Sequence, residues 1–135
     1  MTPTYIIIHT AAFDGDADIA EIRRWHLARG FADVGYHWYI RRDGTLEKGR
    51  VETRQGAHCK DGGMNRKSIG ICFEGHGDHE KHTVAQRATL KKLHEEIKER
   101  WDIPVQNVLG HRETGANKTC PGNLIDMHEL REFLT

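Results

Sequence analysis

Residues 4–9, TYIIIH, set the tightest limit on the fold: a short β-branched run of this kind belongs to a strand buried on both faces. Such a strand sits inside a sheet that helices cover, so the rest of the chain is read for its partners. Residues 68–74, SIGICFE, form a second strand with Ile69, Ile71 and Phe73 on one face. Residues 36–40 alternate with period two: Tyr36, Trp38 and Ile40 fall on one face, His37 and Tyr39 on the other. Asp43-Gly44 marks a tight turn into a strand over residues 45–48.

Helical signals alternate with these strands. Asp18 with Glu21 three positions later opens a helix to about Arg29, closed by Gly30, with Ile19, Ile22 and Trp25 or His26 facing inward. Thr83 with Gln86 opens a longer helix over residues 84–101, ended by Pro104, whose Leu90, Leu93, Ile97 and Trp101 make a core stripe. Residues 105–109 read as a short strand and residues 126–134 as a closing helix. The order β, α, β, β, β, α, β, α predicts an α/β fold, a single domain over residues 1–135 with a mixed central sheet flanked by helices.

Twenty basic and twenty acidic side chains cancel, so no long-range field gathers phosphates, and nucleic acid is excluded as a partner. The opening MTPTYIIIHTAAF has no basic lead and too short an apolar run for a signal peptide or a membrane span. Synthesis in the cytoplasm without a signal peptide, no membrane insertion and a monomeric state are the expectations. Cys59, Cys72 and Cys120 are an odd count that argues against a disulfide framework and for free thiols or a metal thiolate.

Three donors stand out. His9 closes the buried strand, His111 follows the strand at residues 105–109, and Cys120 returns on the same Gly-rich loop, before Pro121. Neighbouring strands ending at one sheet edge would bring both imidazoles together, and two imidazoles with a thiolate are a natural catalytic zinc set that leaves a fourth place for water. Taken singly, His9 also reads as a strand cap, His111 as a carbonyl partner and Cys120 as a small buried residue. Lys118, two residues before the cysteine, adds a cation to the group, with a solvated loop lysine as the plain reading. His76, His79 and His82 lie in a polar loop and are read as exposed and incidental.

Four stretches in order, IIIHTAA (6–12), DVGYHWYIRRDGTLEKGR (33–50), GAHCKDGGMNRKSIGICFEG (56–75) and GHRETGANKTCPG (110–122), carry a resemblance. The chain resembles the zinc-dependent N-acetylmuramoyl-L-alanine amidases, the group that includes phage amidase-type lysozymes and is similar to the peptidoglycan recognition proteins. The resemblance implies a Zn2+ cofactor held by His9, His111 and Cys120, catalytic roles for Tyr36 and Lys118, and peptidoglycan as substrate, cut between N-acetylmuramic acid and L-alanine. A phage endolysin, made in the cytoplasm and acting on the cell wall after release, is the setting it implies. His58 and Asn65 match elements bordering the substrate groove and are expected to bind substrate. Related amidases carry a glutamate on the strand equivalent to SIGICFE; Cys72 stands at the aligned position here, which leaves Glu74 as a reserve for proton transfer. His37 is expected as a core or supporting histidine. The rivals are a cysteine peptidase using Cys120 with His111 as base, and a non-catalytic peptidoglycan binder.

Overall fold

The computed structural model describes all 135 residues. Its sheet holds β1 (Tyr5–Thr10), β2 (Trp38–Ile40), β3 (Leu46–Lys48), β4 (Ser68–Phe73) and β5 (Val108–Gly110), in the spatial order β3-β2-β4-β1-β5. Every neighbouring pair is parallel except β2 with the edge strand β3, so the sheet is mixed as the element order predicts. The helices are α1 (Ile19–Ala28), α2 (Val84–Trp101) and α3 (Met127–Leu134). None is long and apolar enough to cross a membrane.

The caps hold as read. The Asp18 carboxylate accepts the Glu21 N–H at 2.9 Å, and Thr83 and Gln86 exchange side-chain and backbone hydrogen bonds across a complete capping box. Asp126 caps α3 in the same way, accepting from the Glu129 N–H.

Period two then decides what each face of the sheet can do. Ile6 and Ile8 of β1 join Ile69, Ile71 and Phe73 of β4 in the main core, against Leu90, Leu93 and Ile97 of α2 and Leu130 of α3. The alternate residues Ile7, His9, Ser68, Gly70 and Cys72 therefore face the other side. There α1 covers only part of the sheet, through Ile19 and Ile22 against Tyr39 and Cys72, while Ile7 packs on Cys59 and Met64 from the segment between β3 and β4. This thinly covered face is where the polar residues collect.

Two local expectations are corrected. Tyr36 precedes β2 and packs with the Tyr39 and Cys72 cluster, opposite to Trp38 and Ile40. The alternation fails at His37, whose Nδ1 accepts the Gly70 N–H and so replaces a regular backbone rung. Residues 105–107 form a 3-10 turn rather than strand, closed by the Asn107 N–H on the Pro104 carbonyl, and β5 begins only at Val108. The proline that ends the α2 pattern thus also starts the turn.

Several buried histidines carry a stability signature. Burial pushes His26 and His82 down to about 4, and lowers His94, whose two ring nitrogens have no partner. Each is neutral when folded and takes up a proton on unfolding below the ordinary value near 6.5. Stability is therefore full above pH 6.5 and lost as pH falls toward 4. At pH 5, His26 alone accounts for about 2 kcal/mol, and the metal-free protein is expected to melt at least ~5 °C lower than at pH 7.5. Calorimetry at the two pH values checks this; an unchanged Tm would contradict it.

Candidate metal centre

β1 and β5 run side by side in the same direction, with Ile8 opposite Gly110, so His9 and His111 emerge together at the C-terminal edge of the sheet. Their ring centroids are 4.8 Å apart. The loop after β5 folds back on itself: the Arg112 N–H donates to the Cys120 carbonyl at 2.8 Å, and the Arg112 guanidinium holds the carbonyls of Thr119, Gly122 and Ile125. That closure delivers Cys120 Sγ to 3.6 Å from His9 Nδ1, where it also accepts the Thr10 N–H at 3.4 Å. One donor atom from each of His9, His111 and Cys120 lies within 4.8 Å of the others, close enough to hold a metal ion.

The nitrogens turned away from this cluster are engaged. His111 Nε2 faces the Asp61 carboxylate at 3.1 Å, and His9 Nε2 faces His58 Nδ1 at 2.8 Å. Partners of this kind fix ring orientation and ligand basicity at metal sites. Burial, with His58 and His111 beside it, holds His9 well below the usual imidazole range, so it is neutral and has a lone pair to offer. Burial pushes the Cys120 thiol up to about 11. Cys59, Asp61 and His111 form a second donor group of the same span, sharing His111.

A cleft of about 390 Å³ opens above the cluster. Tyr36 and Lys118 both line it. The Tyr36 ring lies 5.2 Å from that of His9, and burial raises its phenol well above the ordinary value, so it stays protonated at neutral pH. Lys118 is exposed and near enough for its charge to lower both His9 and Cys120. Residues 9, 36, 111, 118 and 120, distant along the chain, thus share one cavity.

His58 also lines the cleft, but both its ring nitrogens already have protein partners, His9 and Ser68. Asn65 does not line it; its carboxamide oxygen accepts the backbone N–H groups of His58 and Cys59 at 2.8 and 2.7 Å. Glu74 is away from the cleft as well. Its carboxylate takes the Arg41 guanidinium and the N–H groups of Arg42 and Ala17, which hold it below the usual carboxylate range despite burial. Cys72 is fully buried, beside Tyr39 on the neighbouring strand. His37 is buried between the Gly70 N–H and the Arg54 carbonyl, a supporting position.

The loop read as incidental buttresses the cysteine. His76 lines the cleft, His79 pairs with Asp14 at 2.8 Å, and His82 stacks on Phe73 at 3.8 Å between ring centroids. Asp78 accepts from Thr119 Oγ1 and from the Asn123 N–H, bracketing Cys120. Between them Gly77 touches the Pro121 backbone so closely that a Cβ would fall 1.8 Å from its carbonyl oxygen. Gly77→Ala is expected to shift the cysteine loop while leaving helix content intact. A displacement near 1 Å costs roughly 10²-fold in rate, so an unimpaired rate would show that the clamp is dispensable.

A family model described as N-acetylmuramoyl-L-alanine amidase matches residues 1–123. The chain belongs to the N-acetylmuramoyl-L-alanine amidase family. This amidase is similar to the endolysin of Klebsiella phage KP32, at 39% identity over 96% of this chain and 88% of the relative. Among solved structures it is similar to the N-acetylmuramoyl-L-alanine amidase LysC from Clostridium intestinale URNW, with a TM-score of 0.90 at 30% identity over 98% of this chain and 85% of that one. It also matches a Drosophila PGRP-LB variant in complex with tracheal cytotoxin, with a TM-score of 0.83 at 27% identity over 96% of this chain and 81% of that one. The amidase shares its α/β architecture with both.

Proposed function

We propose that this amidase is a zinc-dependent lytic enzyme of the endolysin type, hydrolysing the amide between the lactyl group of N-acetylmuramic acid and the L-alanine of the stem peptide. The observation that carries the metal reading is the convergence of His9, His111 and Cys120 on one floor of the cleft. The donor set fits zinc: soft thiolate with neutral imidazole suits Zn2+, and the 3.6 Å between Cys120 Sγ and His9 Nδ1 matches the ~3.5 Å between neighbouring donors in a tetrahedral zinc shell. When bound, zinc lowers the pKa of a coordinated water to roughly 7 and polarises the scissile carbonyl.

The chain's own residues supply the rest. The Lys118 ammonium, exposed at the cleft wall, stabilises the oxyanion that develops on the substrate carbonyl. Tyr36 keeps its proton at neutral pH and hands it toward the leaving amine, or orients the attacking water, from its place against His9. Asp61 accepts from His111 and keeps that ring in place. Tyr36→Phe is expected to preserve fold and metal content and to lower kcat by ~10²-fold, the usual scale for a lost proton donor. A variant with unaltered kcat would return Tyr36 to a packing role.

The thiol-peptidase reading has less support: burial raises the Cys120 thiol, and Cys120 lies in an irregular loop with no helix N-terminus to depress it. Mass spectrometry of digested cell wall, with and without a chelator, tests the proposal: free L-alanine amino termini that vanish on chelation and return with zinc support it. Cleavage at another bond, or indifference to chelation, refutes it. The enzyme is expected to act on the cell wall as a monomer, without membrane insertion or nucleic acid.

A further inference from the structure

The two histidines of the donor cluster differ in what holds their second nitrogen. His111 faces a carboxylate, which can only accept when ionised; His9 faces another imidazole, His58. A neutral imidazole has one N–H and one lone pair, so a contact between two of them has no direction until something outside it supplies one. Here a carbonyl does so. The Ser68 hydroxyl lies 2.7 Å from the Met64 carbonyl and must donate to it. Ser68 Oγ then has only lone pairs for His58 Nε2 at 3.3 Å, which puts the His58 proton on Nε2 and leaves Nδ1 as an acceptor. His9 Nε2 must donate to that Nδ1, 2.8 Å away, and the His9 lone pair is left on Nδ1, the nitrogen facing Cys120 Sγ.

We infer that His58 is a positioning residue: with Ser68 it fixes His9 as the Nε2–H tautomer and so turns the His9 lone pair into the donor cluster. The inference deepens the metal reading above and rests on it. The backbone around His58 is cut to the ring. A Cβ at Gly70 of β4 would fall 2.6 Å from His58 Cγ, and one at Gly56 would fall 2.6 Å from Cδ2. Asn65 clamps the loop by taking the His58 N–H and the next one. His37, the other nearby imidazole, is closed off by the Gly70 N–H and the Arg54 carbonyl, so it does not compete for His58. The GAH, N-x-x-S and G elements of the sequence thus converge on one ring.

The test reads imidazole protonation directly, in metal-free protein labelled with nitrogen-15, from long-range proton–nitrogen correlations. The wild type is expected to show His9 protonated on Nε2 alone. Ser68→Ala removes the end that sets direction and is expected to give both His9 tautomers, with zinc affinity lower by roughly 10–100-fold in competition with a chelating dye. His58→Phe keeps the shape without an acceptor and is expected to lose affinity on the same scale, whereas His58→Asn, which offers an amide oxygen near the Nδ1 position, is expected to recover part of it. A wild-type His9 protonated on Nδ1 overturns the inference. So does a His9 tautomer and zinc affinity that both survive His58→Phe unchanged. Failure of the wild type to bind zinc would instead sink the metal reading, while the tautomer of the metal-free protein still decides the role of His58.

Discussion

Replacing Cys120 by serine is expected to remove metal and activity together. The sulfur is the one thiolate donor in the cluster, reached only because Arg112 folds the loop back and Asp78 and Gly77 hold its far side. Outer partners of a metal site already cost 10–100-fold in affinity when lost, so losing a donor atom should cost more than ~10²-fold. The hydroxyl that replaces it does not ionise at neutral pH. The same swap hardly disturbs the fold, because Cys120 is on a loop and half-buried. The expected pattern is a normal melting curve for the metal-free variant, no zinc retained through gel filtration, and wall-clearing activity at background. Full activity with one zinc per chain would remove Cys120 from the donor set.

Lys118→Ala is expected to separate metal binding from catalysis. Lys118 is exposed and holds no ion pair, so its removal leaves the three donors in place and zinc content should equal that of the wild type. Its charge reaches His9 and Cys120 across the cleft. Loss of a group that stabilises a developing oxyanion costs roughly 10²–10³-fold in kcat, about 3–4 kcal/mol. Because the interaction strengthens in the transition state, kcat should fall with KM little changed. A variant turning over within twofold of the wild type would assign Lys118 to solvent.

The centre was legible wherever it followed from strand order. His9 and His111 terminate adjacent parallel strands, and a buried β-branched run with a histidine at its end is a local signal. The helices were legible for the same reason, since capping residues and apolar spacing are local: α2 spans the same residues that its period and its capping box mark out. What escaped was fixed by contacts across the chain. Asp61 leaves no periodic trace, yet it supports His111 from 50 positions away. The contact of His58 with His9 leaves no local trace either, because Gly56 and Gly70, which make room for its ring, meet it only when the strands are assembled. Tyr36 leaves the face that period two assigns it because the His37 side chain takes over a backbone rung next to it. The GHGDHEKH loop looked solvated because its partners, Thr119, Pro121 and Asn123, come more than 40 residues later.

The most direct measurement is anomalous diffraction at the zinc edge from crystals of the zinc-loaded amidase. One peak is expected, roughly 2.0–2.3 Å from His9 Nδ1, His111 Nδ1 and Cys120 Sγ, with open space toward Tyr36 and Lys118. A peak held instead by Cys59, Asp61 and His111, or no peak near His9 at all, would contradict the assignment.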